Sequence, residues 1–270
     1  MSYHTLGFDH EFELGVYTID HVPGLVGFNL EFLNSDHHVS RMRVGDFAYS
    51  EEGRGEQSYL IGFSDRDNQW GIDQTRIRCT YYDLGVHGFE TTDALIVTGT
   101  GRDNGRLFIP IPDLSQNETV FLRGFSFSAT QNTNHHIRAL GVRFDKDNRR
   151  FIVDFRDDSP NDDAFSARVL YFKVPEAPPG YNGNDLVFHA SLNISSRFRK
   201  TNDIPKRAVQ GITLLTGFYF EFEDSDHHIE KISINLQDLH RIQLAFHDNG
   251  DPPVYAEVQY TEYSSYDPRA

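Results

Sequence analysis

The chain has 270 residues, 38% of them hydrophobic and 13% aromatic, with 22 Phe and 13 Tyr against only 2 Met, enough to bury one large core or two to three small ones. A formal charge of −15 and an isoelectric point near 5.2 argue against a general nucleic-acid or anionic-membrane binder, which needs positive surface to displace counterions. One cysteine, Cys79, excludes an intramolecular disulfide and a thiolate metal cluster within one chain.

From the start of the chain, Phe8, His10, Phe12 and Leu14 alternate, followed by Val16, Tyr17 and Ile19. This reads as a pair of strands before a turn at Pro23-Gly24. A segment then begins that the chain writes three times. Gly27-Phe28 opens a run that ends in His37-His38, Gly124-Phe125 one that ends in His135-His136, and Gly217-Phe218 one that ends in His227-His228. The glycines lie 97 and 93 residues apart, too far for a solenoid unit and suited to a small β domain. Phe28, Leu30 and Phe32 alternate with Asn29, Glu31 and Leu33, which places an apolar row on one face of a strand.

The return segments carry Val39, Met42 and Val44; Ile137, Leu140 and Val142; Ile229, Ile232 and Ile234. A spacing of three before alternation resumes predicts a bulge just after each histidine pair. Next comes a strand ending in Phe-x-Asp at Asp65, Asp157 and Asp248, then a loop and a strand ending in Tyr81, Tyr171 and Tyr260. Cys79 falls where the other copies have Val169 and Val258, the place of an apolar filler. Each unit therefore reads as strand, hairpin turn, bulged strand, hairpin, strand, polar loop, strand.

Leu95–Val97, Arg106–Pro112, Asp185–Ala190 and Gly211–Leu215 are strand-like connectors, and Pro175–Gly180 is a linker. No stretch has sustained helical periodicity. The expected fold is all-β: three tandem antiparallel β-sandwich repeats over residues 1–92, 93–178 and 179–270, arranged around a pseudo-threefold axis. Gly27, Phe28, Gly124, Phe125, Gly217 and Phe218 form the shared structural motif.

The segments His136–Phe144, Phe151–Phe155 and Ala167–Tyr171 resemble the closing half of the H-type lectin family, over about half of each repeat. That resemblance implies a six-stranded antiparallel sandwich, assembly in threes, and binding of N-acetylgalactosamine-type sugars. Three fused copies would build within one chain the arrangement such lectins build from three. The histidine pairs are absent from that pattern, and no binding residue is carried over.

Six of 13 histidines sit in the pairs. Imidazole beside carboxylate can bind transition metals, which makes His37, His135 and His227 candidate metal ligands. Adjacent residues on a strand point to opposite faces, so one pair does not readily chelate one ion. The preferred reading gives His38, His136 and His228 a structural role, satisfying backbone groups that a bulge frees. Asp65, Asp157 and Asp248 are candidate ligand-binding residues at loop ends, but closing an Asx turn is the preferred reading, because turn formation alone explains their recurrence.

No nucleophile elbow or His-Glu-x-x-His occurs, so a non-enzymatic chain without a cofactor is expected. The two leading functions are recognition of a glycan or protein partner, and a structural or adaptor role in a self-assembling particle such as a phage-like tail or contractile injection system. A metal-dependent enzyme ranks below both. No apolar run reaches membrane-span length and no signal-like segment opens the chain, so synthesis in the cytoplasm is expected, with later release or incorporation into a particle left open.

Overall fold

Aromatic and β-branched residues alternating with polar ones favour a pleated, half-buried surface, and the computed structural model is all-β. It describes residues 10–18, 23–32, 39–49, 56–65, 75–83, 95–102, 105–129, 137–157, 164–175, 187–194, 202–205, 211–222, 229–237, 241–248 and 255–264. Within the first third of the chain are β1 His10–Thr18, β2 Pro23–Phe32, β3 Val39–Tyr49, β4 Glu56–Asp65 and β5 Thr75–Asp83. The middle holds β6 Leu95–Arg102, β7 Gly105–Pro110, β8 Glu118–Ala129, β9 Ile137–Asp145, β10 Arg150–Asp157 and β11 Ala164–Pro175. The last third has β12 Val187–Ile194, β13 Asn202–Pro205, β14 Gly211–Glu221, β15 Ile229–Asn235, β16 Arg241–Asp248 and β17 Tyr255–Ser264. The expected boundaries near 92 and 178, and all three histidine pairs, lie outside the described residues.

Among the described residues the strands form three antiparallel sheets. The first has the order β1-β4-β3-β8-β11-β6, the second β12-β17-β14-β9-β10-β7 and the third β13-β16-β15-β2-β5. Each draws strands from two thirds of the chain, and the pairing is cyclic. Val44 on β3 stands opposite Phe125 on β8, Val142 on β9 opposite Phe218 on β14, and Ile234 on β15 opposite Phe28 on β2. The Gly-Phe strand and its return strand therefore do not form a hairpin: β2 pairs with β5 and β15, whereas β3 pairs with β4 and β8. Turn residues between two apolar runs specify a reversal of direction, but any free edge can satisfy the backbone groups of the returning strand.

The predicted bulges are present in all three copies. Register breaks between Val39 and Arg41, between Ile137 and Ala139 opposite Asp157 and Arg156, and between Ile229 and Lys231. A second series precedes each motif glycine, at Val26, Arg123 and Thr216. Residues 10–18 form one strand broken in register between Glu13 and Gly15 rather than two paired strands, because the bulge resets the alternation without ending the ladder. Pro23 opens β2 instead of forming a turn, the first position of a strand being one that tolerates a missing N–H.

The inward faces share one continuous buried cluster. At its centre the three motif rings meet: Phe28 lies 5.4 Å from both Phe125 and Phe218, and Phe125 lies 5.0 Å from Phe218. Tilted and edge-on contacts of this kind add to the gain from burial. The glycine before each ring admits the neighbouring strand. A Cβ at Gly124 would stand 2.5 Å from the Val44 carbonyl oxygen and one at Gly217 2.7 Å from that of Val142, while at Gly27 it would overlap the Ile234 carbonyl oxygen.

Candidate functional site

The densest arrangement of ionisable side chains among the described residues covers the outer face of the second sheet. Because side chains alternate across a strand, register alone aligns it. Asp154 on β10 is opposite Arg106 on β7 and Gly141 on β9; Gly141 is opposite Tyr219 on β14, which is opposite Glu257 on β17. The next outward row is Arg156, Ala139, Glu221 and Tyr255. In both rows β9 contributes a small residue, and a long cation bridges the gap that it leaves.

Arg143 fills the first gap. Its guanidinium lies 4.4 Å from the centroid of the Tyr219 ring, donates to Asp154 Oδ2 at 2.6 Å and reaches Glu257 Oε2 at 3.5 Å. Arg106 donates to the other Asp154 oxygen at 2.9 Å. Across Ala139, Arg156 pairs with Glu221 Oε1 at 2.8 Å and also donates to the Tyr219 hydroxyl, which donates to Glu221 Oε2 at 2.7 Å. Gln259 closes the far side: its Nε2 donates to Glu257 at 2.9 Å and its Oε1 accepts from the Phe144 N–H at 2.7 Å.

Asp154 is 2% exposed and Arg143 16%. Burial by itself lowers the Arg143 pKa, but Asp154 by charge and hydrogen bond, then Glu257, outweigh it and raise it. Burial first, then the hydrogen bond to Glu221, push the Tyr219 hydroxyl far above the usual phenol range, with Arg156 opposing. Burial and Glu257 raise Tyr255, and burial raises Tyr171. Each group holds its proton longer folded than unfolded, so this stability is present below the unfolded phenol pKa and lost as pH rises through the folded one. Stability is therefore expected to fall above about pH 10, with phenolate absorbance rising together with loss of β-sheet circular dichroism. Tyr219→Phe would flatten that dependence.

Chemically the arrangement is a brace. Both oxygens of Asp154 accept from arginines, and Glu257 and Glu221 are engaged by arginine, glutamine and tyrosine. It ties residues 106–156 to residues 219–259 across the β9/β14 junction. Composition and repeats did not single it out, although a glycine at 141, where the other return strands have Arg43 and Ser233, was a readable signal.

The candidates from sequence fall elsewhere. Asp65, Asp157 and Asp248 are the last residues of β4, β10 and β16, opposite Val39, Ile137 and Ile229 at the register breaks. They stand at equivalent strand ends in three different sheets. His37, His38, His135, His136, His227 and His228 lie outside the described residues. Among the described residues, no three His, Cys, Asp or Glu side chains gather so as to hold a metal ion, and no helix is long and apolar enough to cross a membrane. Cys79, opposite Phe28 on β5, packs partly buried against the core. Set against protein-family models, curated proteins and solved structures, the chain matches none of them.

Proposed function

We propose that this chain is a non-catalytic binding protein made of three tandem, H-type-lectin-like β-sandwich repeats around a pseudo-threefold axis, and that it recognises a glycan or protein partner. The observation that carries this reading is the cyclic sharing of strands: β3 with β8, β9 with β14 and β15 with β2, in matching register. A chain whose strands are shared in this way carries the same strand end three times. Asp65, Asp157 and Asp248 stand at that end of β4, β10 and β16, where carboxylates can accept from sugar hydroxyls or backbone amides. Three weak sites on one chain gain avidity toward a repeating ligand.

The same closure favours a second reading, a structural or adaptor subunit of a self-assembling particle, because a single-chain threefold body matches a partner of related symmetry. A glycan array probed with the intact chain and with the triple variant Asp65→Ala, Asp157→Ala, Asp248→Ala separates the two. Glycan signal that the triple variant loses supports recognition. Co-purification in a large symmetrical complex by native mass spectrometry, without sugar affinity, supports the adaptor. A monomer that binds no glycan and joins no complex overturns both.

A further inference from the structure

The three strand junctions are closely alike on their inner face. Val44, Val142 and Ile234 each meet a motif phenylalanine, and Met42, Leu140 and Ile232 meet Phe127, Phe220 and Leu30. The apolar side chains there differ little between the thirds, the main departure being Leu30 where the other motif strands have Phe127 and Phe220. The outer face differs at the same registers. Arg43 faces Ser126, Gly141 faces Tyr219, and Ser233 faces Asn29; one row on, Arg41 faces Ser128, Ala139 faces Glu221, and Lys231 faces Glu31.

These pairs are complementary in size and charge. A large residue on the first return strand meets serine; on the second, glycine and alanine meet tyrosine and glutamate; on the third, residues of similar size meet, with Lys231 Nζ 3.2 Å from Glu31 Oε2. At Gly141 a Cβ would stand 2.5 Å from the Phe218 carbonyl oxygen and 2.7 and 2.9 Å from Tyr219 Cα and Cβ, so glycine is what lets β9 lie this close to β14 beside Tyr219. Moving β14 beside β3 would set Tyr219 against Arg43, and moving β8 beside β9 would set Ser126 against Gly141 and leave a void. Crowding and voids both destabilise a packed contact.

We infer that these outer-face pairs are a specificity code: they assign each return strand to one motif strand and so fix the cyclic order of three look-alike segments. The inference rests on the strand registers and not on the binding function proposed above.

The test uses the full chain and denaturant unfolding. Ser126→Tyr places a large ring opposite Arg43 and is expected to lower the folding equilibrium constant about tenfold or more, as overpacking does. Adding Arg43→Gly copies the Gly141–Tyr219 pair and is expected to recover most of that loss. Should Ser126→Tyr not fold, the third junction gives an independent cycle: Lys231→Glu and Glu31→Lys each lower the constant several-fold, and the double reversal restores it. Recovery in either cycle supports the code. Double variants that lose the sum of their singles overturn it.

Discussion

Truncating Phe125 to alanine is expected to cost about 4 kcal/mol of folding stability, the range for a fully buried phenylalanine. Its ring is completely buried and touches Phe28, Phe218 and Phe127 at 5.4, 5.0 and 5.4 Å. Those neighbours belong to strands of all three sheets, so the cavity cannot be closed by shifting one strand, and little of the cost is recovered by relaxation. Urea unfolding checks it through a lower midpoint at unchanged slope. Phe108, 47% exposed on the edge strand β7, is the control, and its alanine variant is expected to stay within about 0.5 kcal/mol. Equal effects at the two positions would mean that the three motif rings do not share a centre.

Replacing Asp154 by alanine is expected to cost about 3 kcal/mol. The charge of Arg143, folded over Gly141 with little access to water, would keep only Glu257 at 3.5 Å as a counterion, and removing one partner of a buried pair costs about 3–5 kcal/mol. Arg106→Ala, at the 48% exposed end of the same carboxylate, is expected to cost under about 1 kcal/mol. The Asp154 effect persists in high salt because ions screen buried pairs poorly, and a urea series at low and high ionic strength measures that. Exchanging Asp154 and Arg143 together for leucine and methionine is expected to recover most of the loss, since an apolar pair carries no desolvation cost.

Strand positions were legible because alternation reports burial directly. Phe28, Leu30, Met42, Val44, Phe125, Phe127, Phe218 and Phe220 are all buried as their spacing implies. The bulges after the histidine pairs were legible too, since an extra residue breaks period-two spacing wherever it falls. The bulges at Val26, Arg123 and Thr216 were not, because the continuous apolar runs Leu25-Val26, Val120-Phe121-Leu122 and Leu214-Leu215 obscure the change of phase. The brace was hidden for a different reason. Arg143, Asp154, Tyr219 and Glu257 are each ordinary polar residues of a strand, and they come together only once β9 lies between β10 and β14.

The amino-acid sequence alone determined an all-β chain, the recurrence of one segment three times, the face that each strand buries and the place of the bulge in its return strand. These are local properties, set by side-chain alternation and turn chemistry within about ten residues. Which strand lies beside which was decided only in the tertiary structure. Backbone hydrogen-bonding groups are the same on every edge, so β3 could satisfy its ladder against β2 as well as against β8. The fit of side chains distant in sequence selects β8 for β3, β14 for β9 and β2 for β15.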